Sequence, residues 1–233
     1  MKHLRSGSYI YFHGHPPSLP TYDADLVLLL HFDGTPGSRV FIDSSPHSQR
    51  INVAGSGYPQ ISSDQSKFGG TSCYNNNNLG WLNIPGINPD FTITGDFTMD
   101  IWVYPLVYNQ VHWSVYYWNN PVQTHLGVIN SSSRQYWYTN STGYVYGQTV
   151  QANEWTHLAA TRQTGTLRVF TNGVLISTRA NYNDVISADS GYPRFCFSSV
   201  AGISCYFDEL RILNGRAEWT ASFTPPTAPY LPP

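Results

Sequence analysis

The sequence predicts an all-β protein, a two-layer antiparallel sandwich or a barrel. Three observations predict it. Strand-like runs follow one another from Asp25 to Leu213, separated by turn residues at short, regular spacing. Asn172-Gly173 stands between the alternating runs Leu167-Arg-Val-Phe-Thr and Val174-Leu-Ile-Ser, which demands a hairpin with positive φ at both central residues. Helix signals are nearly absent, and a short turn near Arg216–Thr220 is the one candidate.

In chain order, residues 1–22 read as an extended N-terminal arm. Tyr9-Ile-Tyr-Phe12 suits a short strand, but His13-Gly-His-Pro-Pro-Ser-Leu-Pro20 excludes regular structure, because proline fixes φ and removes donors. A docking arm and a solvated leader fit these residues equally. The domain follows over 23–226. Strands are expected at 26–32, 38–42, 50–54, 79–84, 97–104, 111–118, 124–129, 134–139, 143–147, 155–162, 166–171, 174–179, 192–198 and 204–213. In the run at 97–104, Phe97, Met99, Ile101 and Val103 alternate with Trp102, so both faces are apolar or aromatic, as in the middle of a sandwich. No internal repeat or second core interrupts the pattern, so one domain is expected. A Pro-rich C-terminal tail covers 227–233.

Composition narrows the function classes. Charged residues make up 11% of the chain, against about 25% in an average soluble domain. Net charge of −2 leaves no electrostatic footprint for nucleic acid. No apolar run approaches the ~20 residues that span a bilayer. No apolar segment follows the basic residues of 1–7, so no signal peptide is read. Three Cys make no disulfide framework. Cys196 and Cys205 face each other across the expected 192–213 hairpin, where either a cross-strand disulfide or two buried thiols fit, and Cys73 has no evident partner.

Asp208-Glu209 lies inside a strand-like run. Adjacent carboxylates in a buried strand need a neutraliser, because an unpaired charge loses several kcal/mol of hydration. An arginine, a backbone nest or a metal would serve.

The order of motifs carries a resemblance. Leu28-Leu-Leu-His-Phe-Asp-Gly34 leads, then Ile42-Asp-Ser-Ser-Pro46, Lys67-Phe-Gly-Gly-Thr-Ser72 and Gly95-Asp-Phe-Thr-Met-Asp-Ile-Trp-Val-Tyr-Pro105. Asn153-Glu-Trp-Thr-His-Leu-Ala-Ala-Thr-Arg162, the Val169-Phe-Thr-Asn-Gly-Val174 hairpin and Tyr206-Phe-Asp-Glu-Leu-Arg-Ile212 complete it. As a set this resembles a laminin-G-like domain of the concanavalin A-like lectin/glucanase superfamily, over roughly residues 25–226. The resemblance implies a two-sheet antiparallel jelly roll. The Phe223-Thr-Pro-Pro tail is similar to versions common in bacteriophage virion proteins.

Three constellations bear on chemistry. The resemblance implies one structural calcium between the first and last strands, at Asp33, Asp43 and Asp208 with nearby carbonyls, a donor set that suits calcium. Turn roles for Asp33 and Asp43, and pairing of Asp208 with Arg211 or Arg162, account for the same residues. Hydrolysis is not expected. The three Glu residues, Glu154, Glu209 and Glu218, lack the close spacing of a glycosidase acid pair, and no Gly-x-Ser-x-Gly elbow occurs. The third is aromatic: Tyr108, Trp113, Tyr116, Tyr117, Trp118, Tyr136, Trp137 and Tyr138. In an unbroken strand Trp113 and Tyr117 share one face. Such rings suit stacking on sugars and suit protein contacts as well.

The function expected is therefore a non-enzymatic surface protein of a bacteriophage virion, in capsid decoration or in a tail or fibre. Its partners would be other virion proteins, copies of itself and host glycans, reached outside the cell. A free carbohydrate-binding lectin is the alternative, and a degenerate glucanase the third reading.

Overall fold

The computed structural model describes residues 23–76, 80–107, 113–119, 123–129, 133–186, 193–198 and 204–231. The arm expected over 1–22 lies outside the described residues.

The strands are β1 (Leu26–Leu30), β2 (Asn52–Gly55), β3 (Gln60–Ser62), β4 (Ser72–Asn76), β5 (Gly80–Asn83), β6 (Phe97–Pro105), β7 (Trp113–Asn119) and β8 (Gln123–Ile129). There follow β9 (Arg134–Thr139), β10 (Gly143–Thr149), β11 (Thr156–Gln163), β12 (Thr166–Thr171), β13 (Val174–Arg179), β14 (Arg194–Ser198) and β15 (Ser204–Asn214). They form two antiparallel sheets. The first runs β13-β12-β11-β6-β15-β4-β3, with β1 also paired to β15; the second runs β10-β9-β8-β7-β14-β5-β2. This is the sandwich of a jelly roll. Among the described residues the helical content is one 3-10 turn, Pro89–Phe91, capped by the Asn88 side chain. The expected turn at Arg216–Thr220 is irregular chain.

The core lies between the sheets. Phe97, Met99, Ile101 and Val103 of β6 enter it with Leu158, Ala160, Val169, Leu210 and Ile212 from the first sheet and Leu126, Val128, Trp137 and Val145 from the second. Burying such side chains contributes roughly 1.5–3 kcal/mol each. Polar bridges cross the gap. Gln135 Nε2 donates to the Ala159 carbonyl at 3.2 Å, and Asn75 Nδ2 to the Cys196 carbonyl at 2.7 Å.

Several expectations are corrected. The segment 38–42 forms no strand: Ser38 closes a turn onto Thr35, and Val40 and Ile42 point to solvent on either side of buried Phe41. β3 and β4 escaped the sequence reading because Ser72-Cys-Tyr-Asn-Asn76 looks polar; its polar side chains are spent on loop and inter-sheet carbonyls. The runs 192–198 and 204–213 are not a hairpin. β14 pairs with β5 and β7 in the second sheet, whereas β15 lies in the first. Cys196 and Cys205 therefore do not face across a ladder, and all three cysteines are free and buried. Burial, and then the thiol of Cys73, push Cys196 well above its ordinary range.

The outer face of the first sheet is covered by the chain's own C-terminal segment. Trp219 and Phe223 stack on each other with centroids 3.8 Å apart, and both meet the ring of His157 edge-on. Thr161 Oγ1 donates to the Trp219 carbonyl and the Phe223 N–H to the Gly173 carbonyl. Gly173 is thus constrained twice. It takes the positive φ (75°) of the hairpin, and a Cβ there would collide with the Phe223 carbonyl. The described residues of the tail lie along the protein's own sheet. Replacing Phe223 with Ala is expected to cost about 2 kcal/mol in urea unfolding, less than a fully buried Phe because one side stays wet. Adding Trp219→Ala should cost less than the sum of the single changes, because the two rings form one stack. A cost under about 0.5 kcal/mol for each variant contradicts the packed tail.

Candidate functional site

The outer face of the second sheet carries ordered rows of aromatic rings. Strand register sets them: His125 pairs with Tyr138, and Tyr138 with Tyr144. The next row pairs Gly127 with Tyr136 and Tyr136 with Tyr146. Directly paired residues project from the same face, so each row is a cross-strand contact line. The rings pack accordingly. His125 meets Tyr138 edge-on at 5.5 Å, Tyr138 tilts on Tyr144 at 4.7 Å, and Tyr144 stacks on Tyr146 at 5.5 Å with planes 4° apart. Arg134 lies over the Tyr146 ring at 4.8 Å and donates to the Gly147 carbonyl. β10 ends the sheet, and Tyr144 on it remains 42% exposed. Gly127 has no side chain, so the second row is interrupted there, with ring edges beside it.

The expected aromatic residues distribute unequally. Tyr108 lies outside the described residues, as do the side chains of Trp113, Tyr116, Tyr117 and Trp118, whose backbones form β7. In the backbone register Trp113 pairs with Val128 and Tyr117 with His125, with a shift between Ser114 and Tyr116. Trp137 is 0% exposed. It stacks on Phe97 and donates its indole N–H to the Tyr182 hydroxyl, so it is core and not contact surface. Tyr136 is on the outer face but 1% exposed, sealed by Tyr144. Tyr138 is half-buried and belongs to the row. His125 was not singled out from sequence. Its signal was its alternation with Thr124 and Leu126, which turn inward.

The acidic residues sit elsewhere. Asp208 and Glu209 form a β-bulge in β15, with Glu209 at φ 51°. Asp208 is held by a backbone nest, not by Arg162 or Arg211. Its Oδ2 accepts the N–H groups of Lys67 at 2.7 Å and Phe68 at 3.1 Å, and its Oδ1 accepts that of Glu209. Glu209 pairs with His31 Nδ1 at 2.8 Å and accepts the Tyr230 N–H. Arg162 instead donates to the carbonyls of Gly95 and Asp184. Arg211 Nε donates to Asp100 Oδ1 at 2.9 Å, and Asp100 also contacts His157 and the Tyr230 hydroxyl. Burial would raise Asp100, but Arg211, His157 and Tyr230 outweigh it and hold the carboxyl below its usual range.

Of the three aspartates expected to hold calcium, Asp33 lies near enough to Asp208 to help raise its carboxyl, whereas Asp43 is taken up by its own loop. Asp43 is saturated by the N–H groups of Leu29, Ser45 and Gln49 and by the Ser45 hydroxyl. Asp208 is committed to its nest. Asp33 is exposed, over Gly69, with Thr71 beside it. Among the described residues no three His, Cys, Asp or Glu side chains form a metal-holding group. Carboxylates whose lone pairs already accept N–H donors do not fit a cation that wants six to eight oxygens.

A family model described as the Concanavalin A-like lectin/glucanases superfamily (Laminin_G_3) matches residues 75–218. The chain belongs to this superfamily. Solved structures of the superfamily fold agree. Domain 4 of AbnA, an extracellular GH43 arabinanase from Geobacillus stearothermophilus bound to arabinotriose, aligns with a TM-score of 0.66 at 18% identity, over 83% of this chain and 94% of that one. The binding domain of Paraclostridial Mosquitocidal Protein 1 aligns with a TM-score of 0.63 at 16% identity, over 84% and 50%. Botulinum neurotoxin type C, whose cell entry depends on two ganglioside molecules, gives 0.63 at 12% identity, over 84% and 49%. The chain spans about half the length of these toxin domains. A comparison with curated protein sequences returns no match. Of these neighbours, AbnA domain 4 holds arabinotriose and the type C neurotoxin interacts with gangliosides, while the superfamily's description also covers glucanases.

The buried cluster implies a pH dependence. Its hydrogen bond to Glu209 raises His31 above its ordinary value, against burial. Burial pushes Asp208 up to about 8, opposed by the Lys67 and Phe68 N–H groups. Both shifts act with one sign. A folded state that holds protons more tightly is favoured at low pH and loses that advantage as pH rises, past 6.5 for His31 and from 3.8 toward about 8 for Asp208. The urea midpoint should therefore fall between about pH 6.5 and pH 8, and His31→Gln should flatten the fall. A midpoint that is constant or rises over this window contradicts the assignment.

Proposed function

We propose that this chain is a non-catalytic, glycan-binding surface domain of a bacteriophage virion protein, serving in capsid decoration or in a tail or fibre. The glycan-binding part rests on one observation above the rest: the packed rings of half-buried Tyr138 and Tyr146 around exposed Tyr144, on an outer sheet face within a lectin superfamily. Flat rings with electron-rich faces stack on the C–H faces of sugars, and the flanking Asn140 amide and Tyr hydroxyls suit sugar hydroxyls. An arabinotriose-bound neighbour and a ganglioside-dependent toxin give the reading its context.

The carboxylates support a non-catalytic role. Asp100, Asp208 and Glu209 are the buried acids of the first sheet, and each is taken up by structural donors. The virion assignment rests on the low charge and the Phe223-Thr-Pro-Pro tail.

A glycan array with the full chain tests the binding role. Tyr144→Ala and Tyr138→Ala are each expected to weaken the best glycan about tenfold, in line with loss of one stacking ring. No binding on the array, or full binding by both variants, overturns it. Sedimentation separates the virion component from the free lectin: self-association supports the first, and a monomer that binds sugar tightly supports the second.

A further inference from the structure

The outer face of the first sheet is not wholly closed by the tail. An open cleft of ≈ 520 Å³ remains where the tail at Pro225 and Pro226 passes the Lys67-Phe68 turn. That size falls within the roughly 300–1,000 Å³ of small-molecule sites. Three aromatic rings line it, Phe68, Trp102 and Trp155, together with Lys67 and Asn172. Phe68 stands edge-on to Trp102 at 6.2 Å, and Trp155 is propped by Tyr104 at 5.4 Å, so the walls are rigid.

The polar groups here are donors that the protein leaves unused. Lys67 Nζ lies 3.8 Å from the Trp102 ring centroid and makes no ion pair among the described residues. Burial lowers its ammonium below the ordinary range. Asn172 uses its Oδ1 to accept the His157 N–H, and its amide nitrogen has no protein acceptor among the described residues. The Lys67 backbone is fixed because its N–H is spent on Asp208. The cation is therefore mounted on a turn that is already ordered, which reduces the entropy cost of binding.

We propose that this cleft is a second binding site, for a sugar unit that carries a carboxylate. The rings of Phe68 and Trp155 take the apolar face of the sugar, the Asn172 amide nitrogen takes an oxygen, and Lys67 takes the single negative charge. One ammonium with no arginine fork matches one carboxylate better than a phosphate, which is favoured by several cations or by backbone N–H groups. The inference does not rest on the tyrosine rows, which lie on the other sheet.

The test is calorimetric titration of the full chain with trigalacturonate, sialyllactose and neutral lactose. The two acidic sugars separate a uronate from a sialate source. At least one acidic sugar should bind about tenfold or more tightly than lactose, and added salt should weaken it. Lys67→Gln should remove that preference, whereas Lys67→Arg should keep part of it. Both leave the Lys67 N–H in place, so melting curves near wild type are expected. Tyr144→Ala should leave acidic-sugar binding unchanged. Equal binding of lactose, no binding of either acidic sugar, or undiminished binding by Lys67→Gln overturns the proposal. Loss in Tyr144→Ala with retention in Lys67→Gln assigns the ligand to the tyrosine rows and also overturns it.

Discussion

The ion pair between Asp100 and Arg211 organises the first sheet. It joins β6 and β15, the two central strands, through a carboxylate with no exposed surface. A lone carboxylate there would be costly, and removing one partner of a buried pair typically costs about 3–5 kcal/mol. Arg211 does more than neutralise. Its guanidinium lies over the rings of Trp219 and Tyr230, at 5.2 and 3.9 Å. The Tyr230 hydroxyl returns to Asp100, and burial, then that carboxylate, push the phenol well above its ordinary range. The pair is thus also the anchor for the tail. The bulge at Asp208–Glu209 shifts the register just before Arg211, so that Arg211 lies opposite Asp100 and Glu209 reaches His31 and the Tyr230 N–H.

From this follows a division between the two outer faces. The first sheet turns polar and charged residues outward and then covers most of them with residues 216–231. Arg216 fastens the start of this segment to Asp23 at 2.6 Å, so the two ends of the described domain meet there. The second sheet has no such cover in the described chain. Its outer rows are closed only by ring-on-ring contact, and the sheet ends at β10 with Tyr144 in solvent. Tyrosine suits that position, because it presents stiff area at low entropy cost and a hydroxyl at the rim.

Local chemistry made much of this readable beforehand. Asn172-Gly173 specified its hairpin, and both residues take positive φ. The two apolar or aromatic faces of β6 pointed to the middle of a sandwich, where the strand lies, and the motif order led to the right superfamily. The need of Asp208-Glu209 for partners was also plain from burial cost alone. Which partners they find was not. The nest for Asp208 comes from backbone N–H groups 140 and 141 residues away, and a backbone donor leaves no mark in side-chain pattern. The same limit explains the aromatic residues. Tyr136, Trp137 and Tyr138 read alike as contact rings in the sequence, and only the facing sheet, through Phe97 and Tyr182, makes Trp137 the inner one. The bulge in β7 and the separation of β14 from β15 into different sheets were likewise set by pairings between strands far apart in sequence.

Hydrogen exchange of individual amides tests most directly whether the chain's own tail covers the first sheet. The Phe223 N–H donates to the Gly173 carbonyl and the Tyr230 N–H to Glu209. Both should exchange slowly, with protection approaching that of β11 beneath them. Exchange of both at the rate of an unstructured peptide, while β11 stays protected, would contradict it.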